Sequence, residues 1–481
     1  MKKLFVLVLT LVAAFALVGC GGESGGKSGV IAEDNYTVET VENLNAQAAD
    51  SVVVTFRIPF GTTIQNQIRE FADEFEEEYP SVKIELDVVS GYDEMKEATI
   101  QDINGGVVPT MTVGYPDHFA EYLITKSIIA LDKFINDANV GYTAEELDDF
   151  LPGYITENRQ FDNKGTYVGL PFNKSTEALY YNADFFNHFG LEVPQTWADM
   201  EALCEDILEI VNDPELKDGQ YSWLGDVKKN VANGEFLPCF YDSGGNLFTT
   251  IIHQFGGEYT ESVYKSSGIV DVQKGLLKFN TSPEATEALT YLQGLASKNY
   301  INMPEAWELS YGSGPLCEGK SVMNIGSTGG SSYYASAICN VNVAPLPYRD
   351  ADHKNVIQQG TNVCILSQAS DLQKLAAWLF IKHMLTPENT AEFAITTGYM
   401  PVRQSAYELQ DYLDFLNGPT IGAKVHQATS KYASEGWEYF VDAAWAGSSN
   451  VRTECQTAIA QILVDKANIA TALEDAVKRI G

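Results

Sequence analysis

Gly169–Asn182 reads GLPFNKSTEALYYN: an apolar run, a short polar turn at Asn173-Lys174-Ser175-Thr176, and a second run through Leu179, Tyr180 and Tyr181. A strand that ends in small hydroxyl residues leaves backbone N–H groups and hydroxyls free to meet a ligand. The same turn also suits a solvated corner. We read it as a crossing between two lobes that forms one wall of a ligand cleft, which requires the other walls to come from elsewhere in the chain.

Upstream, Ser51–Phe60 (SVVVTFRIPF) is β-branched and apolar, as in a buried strand. Thr62–Tyr79 carries Ile64, Ile68, Phe71 and Phe75 at the spacing of one helical face, and Pro80 stops it. Val82–Val89 alternates as a strand, Tyr92–Ile103 is helical up to Gly105-Gly106, and Pro109–Tyr115 is the next strand. Strand, helix, strand, helix, strand predicts a parallel α/β sheet, whose ligands bind at the carboxyl ends of its strands. Those ends are Phe60-Gly61-Thr62, Ser90-Gly91-Tyr92 and Tyr115-Pro116-Asp117. Helical patterns follow over Glu121–Asn136 and Ala144–Glu157, and Asp162-Asn163-Lys164-Gly165 reads as a hairpin turn.

Downstream, Thr196 is a natural N-cap for a helix over Ala198–Val211. Trp197 then stands at the helix start, where an indole can face a cleft or plug a core. Asn212–Phe279 gives no clear period. Glu318–Ser332 (EGKSVMNIGSTGGSS) runs from a short strand into a small-residue turn whose N–H groups can approach an anion. It lacks the Lys-Ser/Thr end of a P-loop, which argues against nucleotide. Gln359–Leu366 is a buried strand, Asp371–Met384 and Pro387–Thr396 are helices, and Arg452 lies near the start of a helix over Asn450–Ala467.

The N-terminus is a processing signal. Lys2 and Lys3 precede an apolar run, Leu4–Val18, that ends in Leu17-Val18-Gly19-Cys20. The pattern is that of a bacterial lipobox, in which Cys20 is lipidated after removal of residues 1–19; an ordinary signal peptide with an unrelated Cys is the alternative. Gly/Ser-rich composition begins at Gly21, and residues 20–50 are expected to form a flexible tether that holds a domain near a membrane face.

The chain has 65 acidic residues against 31 basic ones, and removal of the leader takes two of those lysines. Such a balance argues against nucleic acid or an anionic membrane surface as partner. Cys204, Cys239, Cys317, Cys339, Cys364 and Cys455 permit disulfides outside the cytoplasm, yet fit buried thiols as well. There is no HExxH, no nucleophile elbow, and no metal spacing among the histidines. No metal or cofactor is therefore expected. A secreted glycan-active enzyme, which needs only two carboxylates at a set separation, stays open beside a binding protein.

In order along the chain, the leader and tether, GLPFNKSTEALYYN, FGLEVPQTWADM, CEGKSVMNIGS, VAPLP and AAWLFIKHMLTPENTAEFAITTGYMPVR resemble the extracellular solute-binding proteins of ABC importers, in the group that captures sugars and related solutes. The resemblance runs from about Ser51 to the C-terminus, with Asn212–Phe279 poorly matched. It implies a periplasmic-binding-protein-like fold of two α/β lobes with a hinge and an interlobe cleft: lobe 1 from 51–172 and 350–397, lobe 2 from 173–349 and 398–481. It also implies a lipid-anchored, extracytoplasmic monomer without catalytic activity that hands a small solute to membrane permease subunits.

Within that family the chain is most similar to the subgroup that binds sn-glycerol 3-phosphate. Position by position, the subgroup's ligand contacts fall on Tyr92 in SGYDEM, Ser175 in PFNKST, Trp197 in QTW, Ser327 in VMNIGS, Gly360, Tyr399 in TGYMP and Arg452 in SNVR. One position departs: the glutamate that holds the glycerol hydroxyls is replaced by Pro116, with Asp117 beside it as a substitute. Lys174 is a further difference that bears on selectivity. Arg452 offers a planar fork for phosphate, or an ion pair with a carboxylate. The expected ligand is glycerol 3-phosphate or a related glycerophosphodiester, with an oligosaccharide as the alternative.

Overall fold

The computed structural model describes residues 31–216 and 221–481. The expected signal peptide, Cys20 and the first part of the expected tether lie outside the described residues. The second part corrects that expectation, because residues 31–50 pack against the protein. Glu33 pairs in parallel with Ile129, and Tyr36 stacks on Phe134 at 5.3 Å while its hydroxyl donates to the Ala130 carbonyl at 2.7 Å. Thr40 then caps α1 (Val41–Asn45), which buries Leu44. The Gly/Ser run ends before these residues, and Ile31, Tyr36 and Leu44 supply apolar surface worth burying.

β1 (Val52–Ile58) buries Val52, Val54, Phe56 and Ile58. α2 (Thr62–Glu78) lays Ile68, Phe71 and Phe75 on the sheet. β2 (Val82–Val88), α3 (Tyr92–Gly105), β3 (Met111–Gly114) and α4 (Pro116–Ile124) follow, and β2, β1 and β3 are parallel neighbours. The expected helix over Glu121–Asn136 is broken into Pro116–Ile124 and Asp132–Ile135, because Ile129 is drawn out to donate its N–H to the Ile365 carbonyl at 3.1 Å. Ala144–Glu157 likewise splits into Ala144–Asp148 and Pro152–Glu157, since Pro152 starts a new helix.

β4 (Leu170–Ser175) and β5 (Glu177–Asn182) come from the opening stretch, every residue of both is buried, and they belong to different sheets. Thr176 is thus the single residue between them. Its N–H donates to the Thr328 hydroxyl at 3.1 Å, and its own hydroxyl donates to the Ile357 carbonyl at 2.7 Å. β4 stays with the first sheet to Ser175, three residues beyond the expected boundary at 172/173.

β6 (Cys239–Tyr241), the hairpin β7 (Thr260–Tyr264) and β8 (Val270–Leu277), and β9 (Ile301–Asn302) occupy the stretch that showed no period and its surroundings. β10 (Met323–Ser327), β11 (Val341–Ala344), β12 (Asn355–Ile357), β13 (Gln359–Ile365) and β14 (Glu438–Phe440) complete the strands. The first sheet has the order β2-β1-β3-β13-β4 and the second β11-β5-β10-β6-β9. β12 and β14 form a separate parallel pair, and β12 leads through Gln358 into β13, so the chain passes beside Thr176 a second time.

Each sheet has its own core: Phe56, Phe71, Phe75, Trp378 and Phe380 in the first lobe, and Trp197, Tyr241, Phe248, Leu289 and Ile459 in the second. Burial of one such side chain is worth roughly 1.5–3 kcal/mol. A third cluster joins them. Val270 and Val272 of β8 pack with Phe119, Tyr122 and Phe161 of the first lobe, and Val270 N–H donates to the Phe161 carbonyl at 2.9 Å. The turn at Asp162-Gly165 therefore does not make the local hairpin expected of it. Asp162 instead accepts from the N–H groups of Lys164 and Thr166, at 3.1 and 3.0 Å, and the loop pairs with the distant β8.

Of the six cysteines among the described residues, Cys204, Cys239, Cys364 and Cys455 are buried free thiols and Cys339 is a half-buried one; Cys317 is buried. Among the described residues no helix is long and apolar enough to cross a membrane.

Candidate functional site

A cavity of about 300 Å³ opens where the lobes meet. The first lobe contributes residues at the carboxyl ends of two parallel strands: Tyr92 after β2, and Tyr115, Pro116 and Asp117 after β3. Phe60-Gly61-Thr62, after β1, is not part of the lining. The second lobe contributes Asn246 from the helix Gly244–Gln254, Asp442 to Trp445 after β14, and Ser449 and Arg452 from the helix Ser448–Leu463. Gln358 and Gln359, at the second passage between the sheets, line its base.

The first-lobe wall is aromatic. The Tyr92 and Tyr115 rings meet at 5.1 Å with an interplanar angle of 62°. Burial is the main reason the Tyr92 hydroxyl is held well above its usual range, with Tyr115, Tyr399 and Asn173 close enough to influence it. Both tyrosines therefore stay protonated and can donate.

Three of the charged residues in the lining are Asp117, Asp442 and Arg452. Burial raises the Asp117 carboxyl, but His118, the Ser449 hydroxyl that donates to it and the more distant Lys96 outweigh this and hold it below the ordinary value. Arg452 donates from Nη1 to Asp442 Oδ2 at 2.5 Å and from Nη2 to Asn246 Oδ1. Burial drives the Asp442 carboxyl up, against the pull of Arg452 and His253. Asn246 in turn donates from Nδ2 to Glu177 Oε1 at 2.8 Å, while the Tyr241 hydroxyl donates to Glu177 Oε2 at 2.5 Å. Glu177 is sealed in β5, and its burial pushes the carboxyl up to about 7.

Of the sequence-derived residues, the structure brings Tyr92, Asp117 and Arg452 together in the cleft. Tyr399 stands behind Tyr92 and reaches the cavity only through it. Ser175, Gly360 and Ser327 gather at the crossing below the cavity: Gly360 pairs with Lys174, and Ser327 caps the turn after β10 by accepting from Gly329 N–H at 3.2 Å. Trp197 corrects an expectation. It is 2% exposed, belongs to the second-lobe core and donates its indole N–H to Gln254 at 2.5 Å, so it plugs a core and is not part of the cleft wall. Lys174 also points away, into a buried ion pair with Glu157.

Tyr115, Asn246, Asp442 and Ser449 were missed by sequence reasoning. Tyr115 had a signal, as the residue that ends a predicted strand, and Ser449 opens the SNVR run that carries Arg452; Asn246 and Asp442 are brought in by the second lobe from stretches without a motif.

A family model for bacterial extracellular solute-binding proteins matches residues 70–416. The sn-glycerol-3-phosphate-binding periplasmic protein UgpB of Yersinia pestis bv. Antiqua is 23% identical over 447 residues, 90% of this chain and 93% of its own length. Among solved structures, UgpB of Mycobacterium tuberculosis in complex with glycerophosphocholine is similar with a TM-score of 0.67 at 20% identity, over 89% of this chain and 97% of that one. The cyclic α-maltosyl-1,6-maltose-binding protein of Arthrobacter globiformis gives a TM-score of 0.64 at 18% identity, over 89% and 98%.

Proposed function

The chain belongs to the family of bacterial extracellular solute-binding proteins, and from that premise we propose that it captures glycerol 3-phosphate or a related glycerophosphodiester and delivers it to the permease subunits of an ABC importer. It binds its solute between the lobes and releases it unchanged. The lipobox at Cys20 tethers it to the outer face of the cell membrane, and it acts as a monomer. The similarity of the UgpB proteins supports this reading.

One observation carries the choice of ligand: Arg452 presents its guanidinium to an interlobe cavity walled by Tyr92 and Tyr115. A guanidinium fork beside donor hydroxyls suits a phosphate ester. The aromatic wall also suits a sugar ring, which keeps an oligosaccharide as the second reading.

Thermal unfolding of the mature chain distinguishes them. A ligand that binds only the folded state raises Tm by mass action, by about 2.7 kcal/mol of stability at a hundredfold excess over Kd. Glycerol 3-phosphate or glycerophosphocholine is expected to raise Tm, and maltotriose is not. The reverse pattern removes the phosphate reading. Arg452→Gln is expected to abolish the response to either phosphate ester.

A further inference from the structure

The charges around Arg452 carry more than the presence of an anion site. Among the described residues that line the cavity, Arg452 is the one arginine or lysine, whereas Asp93, Asp117, Glu157 and Asp442 are carboxylates. Glu157 is matched by Lys174. Asp93 is exposed, and its nearest cation is Lys96 at 3.7 Å. Asp442 and Asp117 remain, and Asp442 is bonded to Arg452 itself. The cation is therefore neutralised before any ligand arrives.

Arg452 still has donors to offer. A guanidinium carries five N–H groups in a plane. Two are used, one by Asp442 and one by Asn246. A ligand oxygen has to share the fork with Asp442. One negative charge on the ligand is met by the remaining N–H groups. A second finds no further cation in the lining and faces Asp442 across the guanidinium, with Asp117 on the opposite wall.

We infer that Asp442 sets the charge class of the ligand: by occupying one side of Arg452 it makes the cleft prefer a singly charged phosphodiester over a doubly charged phosphomonoester. This rests on the phosphate-ester reading and deepens it. A phosphomonoester carries about −1.5 to −2 charges at pH 7, whereas a diester carries one at any pH near neutrality. Asp442 thus acts as a built-in competitor for the guanidinium. It costs affinity for every anion and costs most for the most highly charged one.

The test is calorimetry at about pH 8, where the monoester is doubly charged, on the mature chain and on Asp442→Asn. The probes are glycerol 3-phosphate and glycerophosphoglycerol, a diester without a cationic end, so that recognition of an ammonium group cannot produce the preference. The native chain is expected to bind the diester about tenfold or more tightly. Asp442→Asn is expected to shrink that ratio to about threefold or less, through a gain in affinity for glycerol 3-phosphate. Asp442→Ser, which also removes the charge, serves if the asparagine variant does not fold.

A native preference for the monoester overturns the inference. So does an unchanged ratio in the variant, or an equal loss for both esters, which would make Asp442 a mere support for Arg452. Binding of maltotriose and of neither ester overturns the phosphate reading itself, and this result is visible in the native chain before any variant is made.

Discussion

Lys174 and Glu157 form an ion pair in which neither side chain is open to solvent, at the point where the chain is about to leave the first sheet. Lys174 also donates to the Gly360 carbonyl at 3.1 Å, and Gln358 donates to Glu157 at 2.9 Å. Burial pulls the Lys174 ammonium down from its ordinary value, with Glu157 pulling the other way. The pair ties β4, β13 and the helix Pro152–Glu157 together under the cleft. Its role is to fix the crossing, and it bears on selectivity only because Glu157 also reaches the cavity lining.

Loss of one partner leaves a buried charge uncompensated, which costs about 3–5 kcal/mol. Lys174→Met is therefore expected to lower stability by that amount in urea denaturation, and adding Glu157→Leu to recover a large part of it. A single variant as stable as the native chain would remove the pair from this account.

Gly360 has φ +87, and a Cβ built there falls 1.9 Å from the Asn173 carbonyl oxygen. Both the backbone angle and the space demand glycine. Gly360→Ala is expected to destabilise the chain by more than about 1 kcal/mol, because β4 and β13 would have to separate. Circular dichroism on heating checks it; a Tm within a degree or two of native would contradict the close approach.

Trp197 separates core from cleft. Trp197→Ala is expected to destabilise the chain by about 3–5 kcal/mol through the cavity it leaves, with Gln254 losing its indole donor. Ligand affinity at a temperature where the variant is folded is expected to stay near native. A large affinity loss at unchanged stability would place the indole against the ligand instead.

Glu177 gives the binding site a pH dependence. Its carboxyl titrates at about 7 when folded, against 4.5 ordinarily, mainly through burial, with Asp242 adding to the rise and Tyr241, Asn246 and Arg452 opposing it. A raised folded pKa means the proton is held more tightly in the native state. The resulting stability is full below the unfolded value and is lost as pH rises through about 7. An anion on Arg452, two bonds away through Asn246, further disfavours ionised Glu177. Phosphate-ligand affinity is thus expected to rise as pH falls from about 8 to 6, with proton uptake on binding. Asp242, raised to about 6, contributes at the lower end. Calorimetry in buffers of different ionisation enthalpy measures the uptake. If Glu177→Gln shows the same pH slope as the native chain, the coupling lies elsewhere.

The first five elements of the fold after residue 50 were legible because each is written locally. β1, α2, β2, α3 and β3 follow from β-branched runs, one helical face, and stops at Pro80 and Gly105-Gly106, and the structure places their ends within a few residues of the sequence reading. The capping box at Thr196 and Asp199 was equally local. Illegible elements had distant partners. Nothing within Asp162–Gly165 says that its neighbours pair with Gly268 and Val270, a hundred-odd residues away, and nothing in Glu121–Asn136 says that Ile129 will be drawn onto β13.

The same division runs through the site. By itself the sequence determined that the chain is acidic and of α/β pattern, that GLPFNKSTEALYYN joins two apolar runs through a polar turn, and that Tyr92, Asp117 and Arg452 are ligand candidates. Such properties reside in composition, short-range periodicity and motif order. Only the tertiary structure decided that Thr176 alone separates two sheets, that Trp197 turns inward to Gln254, and that Arg452 meets Asp442 and Asn246 before it meets a ligand. A side chain's charge can be read from its letter. Whether that charge is free depends on what the fold brings within hydrogen-bond distance, and here the deciding partners come from a different helix and from the loop after β14.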